Sequence, residues 1–267
     1  MITVEQLAPL LGGALVLGGV AVAATRRREL MLRWCLWALG VPVVVALFWW
    51  GDVGVAILAV AVALVATFEY CALTGLGWVD RAVLAAVLVG LVLTVWLDPD
   101  QTVRVLGAGV LVLAALPVVA GDAAGGFRRV STAVFGLVWL SPLAGLVPLG
   151  ATALALFVAI SVADIVAYFA GPRLGGPHLS PLSPSKRWSG TLAGAVVGIG
   201  TLVLVGAWTW PLAVAVAVGG PVGDLVESMV KRGVRAKDSG TWLAGAGGLL
   251  DRIDSMLVAL AVTLVLG

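Results

Sequence analysis

The chain has 267 residues, of which 61% are hydrophobic and only 11% charged, with 35 glycines and a formal net charge of +2; its mean hydropathy is +1.14. A soluble domain is about a quarter charged, and one globule of this length has too little interior to hide so much apolar surface. These numbers exclude a soluble enzyme, a disordered chain and a nucleic-acid-binding domain, and they leave a polytopic membrane protein.

A helix needs about 20 apolar residues to cross the hydrocarbon core. Ten stretches qualify, near 6–24, 31–50, 53–74, 82–97, 103–120, 131–149, 151–170, 190–207, 209–230 and 249–266. The fourth is short, and only Pro148-Leu149-Gly150 separates the sixth from the seventh, so nine to ten membrane helices are expected. None of the stretches alternates apolar and polar residues as barrel strands do. The expected fold class is therefore all-α: a polytopic transmembrane helical bundle. Residues 1–150 read as scaffold helices available for dimer or lipid contacts, and residues 151–267 as the part that carries the chemistry. The first stretch is preceded by one acid, Glu5, and no base, which is not the pattern of a cleaved signal peptide. Cys35 and Cys71 lie in apolar runs and read as small buried residues rather than a disulfide framework.

Lys and Arg placement sets orientation. The odd-numbered connections and their boundaries hold Arg26, Arg27, Arg28, Arg33, Arg81, Arg128, Arg129, Arg173, Lys186, Arg187, Lys231, Arg232, Arg235, Lys237 and Arg252. The even connections hold Arg104 alone, so fifteen of sixteen bases mark one side, assigned as cytoplasmic, with both termini opposite. Trp49, Trp50, Trp96, Trp208 and Trp210 fall at the other ends, as an interfacial belt requires.

Ionisable groups within membrane segments are costly and default to functional roles. Glu69, Asp164, Asp224, Asp251 and Asp254 qualify, with Glu227 at an interface, and most collect near the cytoplasmic ends of the last helices. The connection after Asp164 runs through Tyr168, Gly171 and Arg173 to Ser183, Lys186, Arg187 and Ser189. Its Pro177, Pro181 and Pro184 forbid a continuous helix. Such a loop can donate to phosphate oxygens, or it can simply touch anionic lipid heads.

Asp224, Glu227, Ser228 and Lys231 are spaced i, i+3, i+4 and i+7 and share one helical face. A glycine-rich stretch follows from Lys237-Asp238 to Gly247-Gly248, and the last helix opens with Asp251-Arg252-Ile253-Asp254. Two carboxylate-bearing helices flanked by bases fit a divalent cation, magnesium by its preference for hard oxygen, together with a polyphosphate. The alternatives are helix ends neutralised locally, Asp251 by Arg252 and Asp224 by Lys231, or the acidic pathway of a transporter.

These residues resemble the phosphatidate cytidylyltransferases, or CDP-diacylglycerol synthases. The pattern Ser228-x-x-Lys231-Arg232, then Lys237-Asp238, then Gly247-Gly248-x-x-Asp251-Arg252-x-Asp254 has the family's order and spacing. A second block, Asp164-x-x-Ala167-Tyr168-Phe169-x-Gly171 followed by Leu179-Ser180-Pro181-x-Ser183-Pro184-x-Lys186, is similar to its central loop, and Glu69 resembles an acidic position in a family helix. Two departures stand out. Ala246 replaces a family histidine, and Ser189 stands where many members have glutamate; His178, the sole histidine, reads as a surface residue.

The resemblance implies transfer of cytidylyl from CTP to phosphatidic acid, giving CDP-diacylglycerol and pyrophosphate for phospholipid biosynthesis. It also implies Mg2+, a homodimer among membrane lipids, no nucleic-acid partner, and a site facing the cytoplasm of a bacterial cell membrane. Asp224 and Asp251 would be metal ligands, and Asp254 and Lys231 would complete the catalytic set. Asp164, Ser183, Lys186, Arg187, Ser228, Arg232, Lys237, Asp238 and Arg252 would line the substrate cavity. Within the same fold, a paralogue acting on another lipid phosphate, or one slowed by the change at Ala246, is the alternative.

Overall fold

The computed structural model describes residues 2–25, 28–240 and 247–267. Helices α1 (Val4–Thr25), α2 (Arg28–Trp49), α3 (Asp52–Thr74), α4 (Trp78–Leu97) and α5 (Thr102–Val119) come first in the chain. Helix α6 (Gly126–Leu140) continues through a 3₁₀ turn, Ser141–Gly145, into α7 (Leu146–Leu149). Then come α8 (Ala151–Leu174), strands β1 (His178–Ser180) and β2 (Ser183–Arg187), α9 (Trp188–Leu204), α10 (Trp210–Val214), α11 (Gly220–Gly233) and α12 (Leu250–Leu266).

Among the described residues eight helical stretches are long and apolar enough to cross a bilayer. Helices α9 and α12, expected as spans from the sequence, have 17 residues each, about 25 Å at 1.5 Å per residue. That is a few ångströms short of the roughly 30 Å hydrocarbon core. Helix α12 carries Asp251 and Asp254 in its opening turns.

The all-helical bundle carries one addition. The proline-bearing loop between α8 and α9 forms an antiparallel hairpin, with His178 opposite Arg187 and Ser180 opposite Ser183. Prolines keep this segment out of a helix, and a two-residue turn at Pro181-Leu182 returns it to the start of α9.

Helices α8 and α9 meet along a seam of small residues. A Cβ added at Gly190, Gly194 or Gly198 would lie 2.6, 2.4 or 3.0 Å from the carbonyl oxygens of Ala167, Ala163 and Ala159 respectively. The three glycines are four apart, so one stripe of α9 lies against the backbone of α8, as in small-residue packing between membrane helices. Helices α10 and α11 form one long stretch widened by a π turn at Ala215–Gly219. Pro221 accounts for it, because proline offers no N–H to the carbonyl four residues back.

The N-terminal half supplies the leucine core, with Leu84, Leu88 and Leu91 of α4 buried against Leu113, Leu137 and Leu140. Helix α3 enters that core on Ala56, Ala59, Ala63 and Ala66, and Glu69 and Tyr70 extend the buried face. It ends at Gly75, which adopts φ +74° and returns its N–H to Cys71 O. Asp80, 1% exposed, accepts two hydrogen bonds from Arg129 Nε at 2.7 and 2.9 Å, tying α4 to α6. Helices α1 and α2 pack on one another, with Trp34 Nε1 donating to Leu15 O at 3.0 Å; Leu7 and Phe48 are buried, many other apolar side chains face outward, and Cys35, read as buried from the sequence, is among the exposed residues.

Candidate active site

The site is organised by the approach of α11 to α12. A Cβ at Gly219 would meet Ala259 Cα at 2.7 Å, and one at Gly223 would meet Asp254 O at 2.3 Å and Ser255 Cα at 2.8 Å. With backbones this close, Asp224 and Glu227 of α11 face the opening turns of α12. Glu227 is 1% exposed and Asp254 7%.

Lys231, one turn beyond Glu227, joins the two helices. Its Nζ donates to Glu227 Oε2 at 2.5 Å and to Asp251 Oδ1 at 2.8 Å. The local pairing of Lys231 with Asp224 that the sequence spacing allows is not the one formed. Asp224 instead faces the hairpin, its Oδ2 3.0 Å from Lys186 Nζ of β2. That ion pair lacks hydrogen-bond geometry, which leaves Asp224 Oδ2 a buried oxygen without a hydrogen-bond donor among the described residues; Glu227 Oε1 is another.

Asp251 is held differently. Its Oδ2 accepts from Gly248 N at 2.8 Å and from Ser239 N and Ser239 Oγ, both at 2.9 Å. The paired glycines of the motif explain themselves here. A Cβ at Gly247, which has φ +77°, would lie 2.4 Å from Asp251 Oδ2, and one at Gly248 would lie 2.5 Å from both Glu69 Oε2 and Ser239 Oγ. Only a backbone without side chains wraps this closely around two carboxylates. Glu69 reaches the same place from α3: its Oε1 accepts from Leu249 N and its Oε2 from Leu250 N, both at 2.7 Å.

Asp164 of α8 completes the wall. It is exposed, sits within electrostatic reach of Lys186 and Asp224, and can bond the Ser255 hydroxyl. Asp254, whose Oδ1 accepts from Ser255 N at 2.8 Å, has Asp224, Glu227 and Asp164 as charged neighbours. The structure thus brings together Asp164, Lys186, Asp224, Lys231, Asp251 and Asp254 from the sequence-derived set.

Other members of that set lie around this cluster. Ser183 is half-buried on β2 and Ser228 half-buried on α11, while Arg232, Lys237, Asp238 and Arg252 are exposed. Arg187 donates to Gly176 O at 2.5 Å, and Ser189 Oγ donates to Gly175 O, so both brace the loop that carries Lys186. His178 is exposed on β1, in keeping with its reading as a surface residue. Ala246, like Arg26 and Arg27, lies outside the described residues.

Ser239 was not foreseen as a site residue, although it directly follows Lys237-Asp238. Nothing in the sequence pairs Glu69 with the start of α12, some 180 positions away. Asp80 and Arg129 likewise carry no local signal that joins them.

Among the described residues no three His, Cys, Asp or Glu side chains are already gathered into a metal cage. Magnesium does not require one, since it is commonly held by one or two carboxylates plus waters and substrate phosphates. Asp224 and Glu227 offer buried hard oxygens that lack donors, and Asp254 lies beside them. Asp251, expected as a ligand, has three donors on Oδ2 and the Lys231 ammonium on Oδ1. The donor chemistry therefore fits at Asp224 and Glu227, as one or two carboxylates with waters and substrate phosphates; a bound cation would have to compete with Lys231 for Asp251.

A model of the cytidylyltransferase family matches residues 31–267. The chain is 35% identical over 243 residues to a phosphatidate cytidylyltransferase of Brucella abortus biovar 1 (strain 9-941), an alignment covering 83% of this chain and 87% of the relative. It is 42% identical over 112 residues to a phosphatidate cytidylyltransferase of Synechocystis sp., covering 37% of each. It is also 36% identical over 110 residues to a chloroplastic phosphatidate cytidylyltransferase of Arabidopsis thaliana, covering 38% of this chain and 28% of that one.

Proposed function

Because the chain belongs to the cytidylyltransferase family, we propose that it transfers the cytidylyl group of CTP to phosphatidic acid, releasing pyrophosphate and leaving CDP-diacylglycerol. The observation that carries this reading is the gathering of Lys186 and Lys231 with Asp164, Asp224, Glu227, Asp251 and Asp254 at one end of the bundle. A lipid phosphate can enter such a site with its tails left in the bilayer, while a nucleotide arrives from water. Acids spread along a path through the bundle would favour a transporter; these collect at one end.

The chemistry asks little of a general base. An oxygen of the lipid phosphate, already anionic, forms a bond to the α-phosphorus of CTP, and the bond from that phosphorus to the β-phosphate bridging oxygen breaks. The obstacle is bringing two polyanions together, which fixed cations offset. Lys186 is paired with Asp224 and Lys231 with Glu227 and Asp251, and substrate phosphates would draw both lysines from these partners. Asp164 and the Ser255 hydroxyl face the same space and would orient the entering groups.

The gathering of Asp164, Asp224, Glu227, Asp251 and Asp254 around Lys186 and Lys231 supports a bound cation in the resting site. We propose a Mg2+ site in which Asp224 and Glu227 would supply the protein oxygens, with Asp251 beside them and waters and substrate phosphates completing the shell. When bound, the ion would neutralise phosphate charge and polarise a phosphoryl oxygen. The bias of bases to one set of connections supports a cytoplasmic site, and the family resemblance supports a homodimer.

The test is purified protein with CTP, phosphatidic acid and Mg2+, scoring CDP-lipid and pyrophosphate in equal amounts. Absence of both products from folded protein would falsify the reading. Product formed only with a different lipid phosphate would assign the paralogous substrate instead.

A further inference from the structure

Helix α12 carries two of the site's carboxylates, yet its own sequence caps it poorly. The first N–H groups of a helix have no partners within it, and the residue at the cap position, Leu249, has an aliphatic side chain that accepts nothing. The acceptor comes from α3. Glu69, 4% exposed, takes the Leu249 N–H on one oxygen and the Leu250 N–H on the other, each at 2.7 Å. A carboxylate at a helix N-terminus gains from both charge-assisted hydrogen bonds and the helix dipole.

The same carboxylate is linked to Asp251. Ser239 Oγ stands 3.2 Å from Glu69 Oε2 and 2.9 Å from Asp251 Oδ2. A hydroxyl has one proton, so it serves one carboxylate at a time, while the Ser239 N–H stays on Asp251 at 2.9 Å. Gly248 passes between them and gives its own N–H to Asp251. The opening of α12 is therefore framed by Glu69 on one side and by Ser239 and Gly248 on the other. Asp251 reaches Lys231 from within that frame.

We infer that Glu69 is a positioning residue for the transfer: it caps α12 from the N-terminal half of the chain and, with Ser239, holds Asp251 and Asp254 in register with Lys231 on α11. The inference rests on the transferase reading of this site. Glutamine at position 69 keeps one carbonyl acceptor but turns an amide N–H2 toward the other backbone N–H, so one of the two caps is lost. The start of α12 then relaxes, and displacements near 1 Å at reacting groups cost up to about a hundredfold in rate.

The experiment compares wild-type protein, Glu69→Gln, Ser239→Ala and the double variant in detergent, measuring kcat, KM for CTP and the thermal unfolding midpoint of each. Glu69→Gln is expected to lower kcat per folded molecule about tenfold or more, with KM for CTP within about threefold of wild type. Ser239→Ala is expected to lower kcat by about threefold or more, and the two losses should not multiply, because they act through one network. A kcat for Glu69→Gln within about twofold of wild type, with only the midpoint lowered, overturns the inference and leaves a purely structural cap. Losses that multiply overturn it as well. If Glu69→Gln does not fold, Ser239→Ala decides alone, and wild-type kcat there overturns the inference. A wild-type protein that makes no CDP-lipid overturns the transferase reading itself, and this inference with it.

Discussion

Replacing Gly223 by alanine tests whether backbone contact between α11 and α12 sets the geometry of the acids. The new Cβ would stand 2.3 Å from Asp254 O and 2.8 Å from Ser255 Cα, where ordinary contact begins at 3.4 Å. Both obstacles are backbone atoms, so α11 must retreat from α12 by about 1 Å, the difference between 3.4 and 2.3 Å. Overpacking of this kind costs about 1–3 kcal/mol, and alanine returns about 1 kcal/mol of helix propensity, for a net loss of about 0–2 kcal/mol. Activity should suffer more, because Asp224 and Glu227 move with α11 while Asp251 and Asp254 stay with α12. A shift near 1 Å at reacting groups costs about a hundredfold in rate, equivalent to about 2.7 kcal/mol of barrier. The assay is CDP-lipid formation per folded molecule beside thermal unfolding in detergent. Gly200→Ala is the control, since nothing lies within 4 Å of its added Cβ, and it should keep wild-type turnover. Turnover by Gly223→Ala within about twofold of wild type would refute the claim that this contact positions the acids.

Asp80→Asn should lower stability by about 3 kcal/mol, the lower end for a broken buried pair, because Arg129 keeps 25% of its side chain exposed; kcat per folded molecule should not change, and unfolding in detergent checks both. Arg235 holds φ +59° where α11 ends, with Ala236 N bonded to Lys231 O. Glycine is the residue suited to that conformation, so Arg235→Gly should raise stability by about 1 kcal/mol, read as a higher unfolding midpoint. Asp224→Asn should reduce kcat by about a hundredfold or more while the protein stays folded, because it removes charge from both the Lys186 pair and the proposed cation site. Wild-type turnover in that variant would remove Asp224 from the site.

The helical bundle was legible because long apolar runs have few alternatives in a membrane, and the acids of α11 and α12 because their spacing puts them on shared faces. The bounds of α9 and α12 were legible to within three residues, 190–207 against Trp188–Leu204 and 249–266 against Leu250–Leu266. The hairpin was half legible. Pro177, Pro181 and Pro184 rule out a helix, but only the pairing of His178 with Arg187 reveals a strand. Which base meets which acid was not legible. Lys231 lies seven residues from Asp224 on the same face and four from Glu227, and it chooses Glu227 and the distant Asp251. That choice follows from how closely two helices pack, which local spacing does not contain. Glu69 had the clearest signal, a carboxylate in an apolar run, but its partners are backbone N–H groups that every sequence possesses.

The small residues and the acids belong to one design. Asp164 directly follows Ala163, whose carbonyl lies under Gly194, and Asp224 directly follows Gly223, which lies on Asp254 and Ser255. Neighbouring residues on a helix are turned by about 100°, so a side chain next to a contact residue emerges beside the seam rather than within it. In a lipid environment helices gain little from burying aliphatic surface against one another, and close backbone approach takes over that role. The separation of the carboxylates is then set by main-chain contact, which is stiff, instead of by long side chains, which are not. A site that must hold several negative charges in fixed relation to two lysines needs that stiffness, because repulsion among the acids would otherwise drive the helices apart.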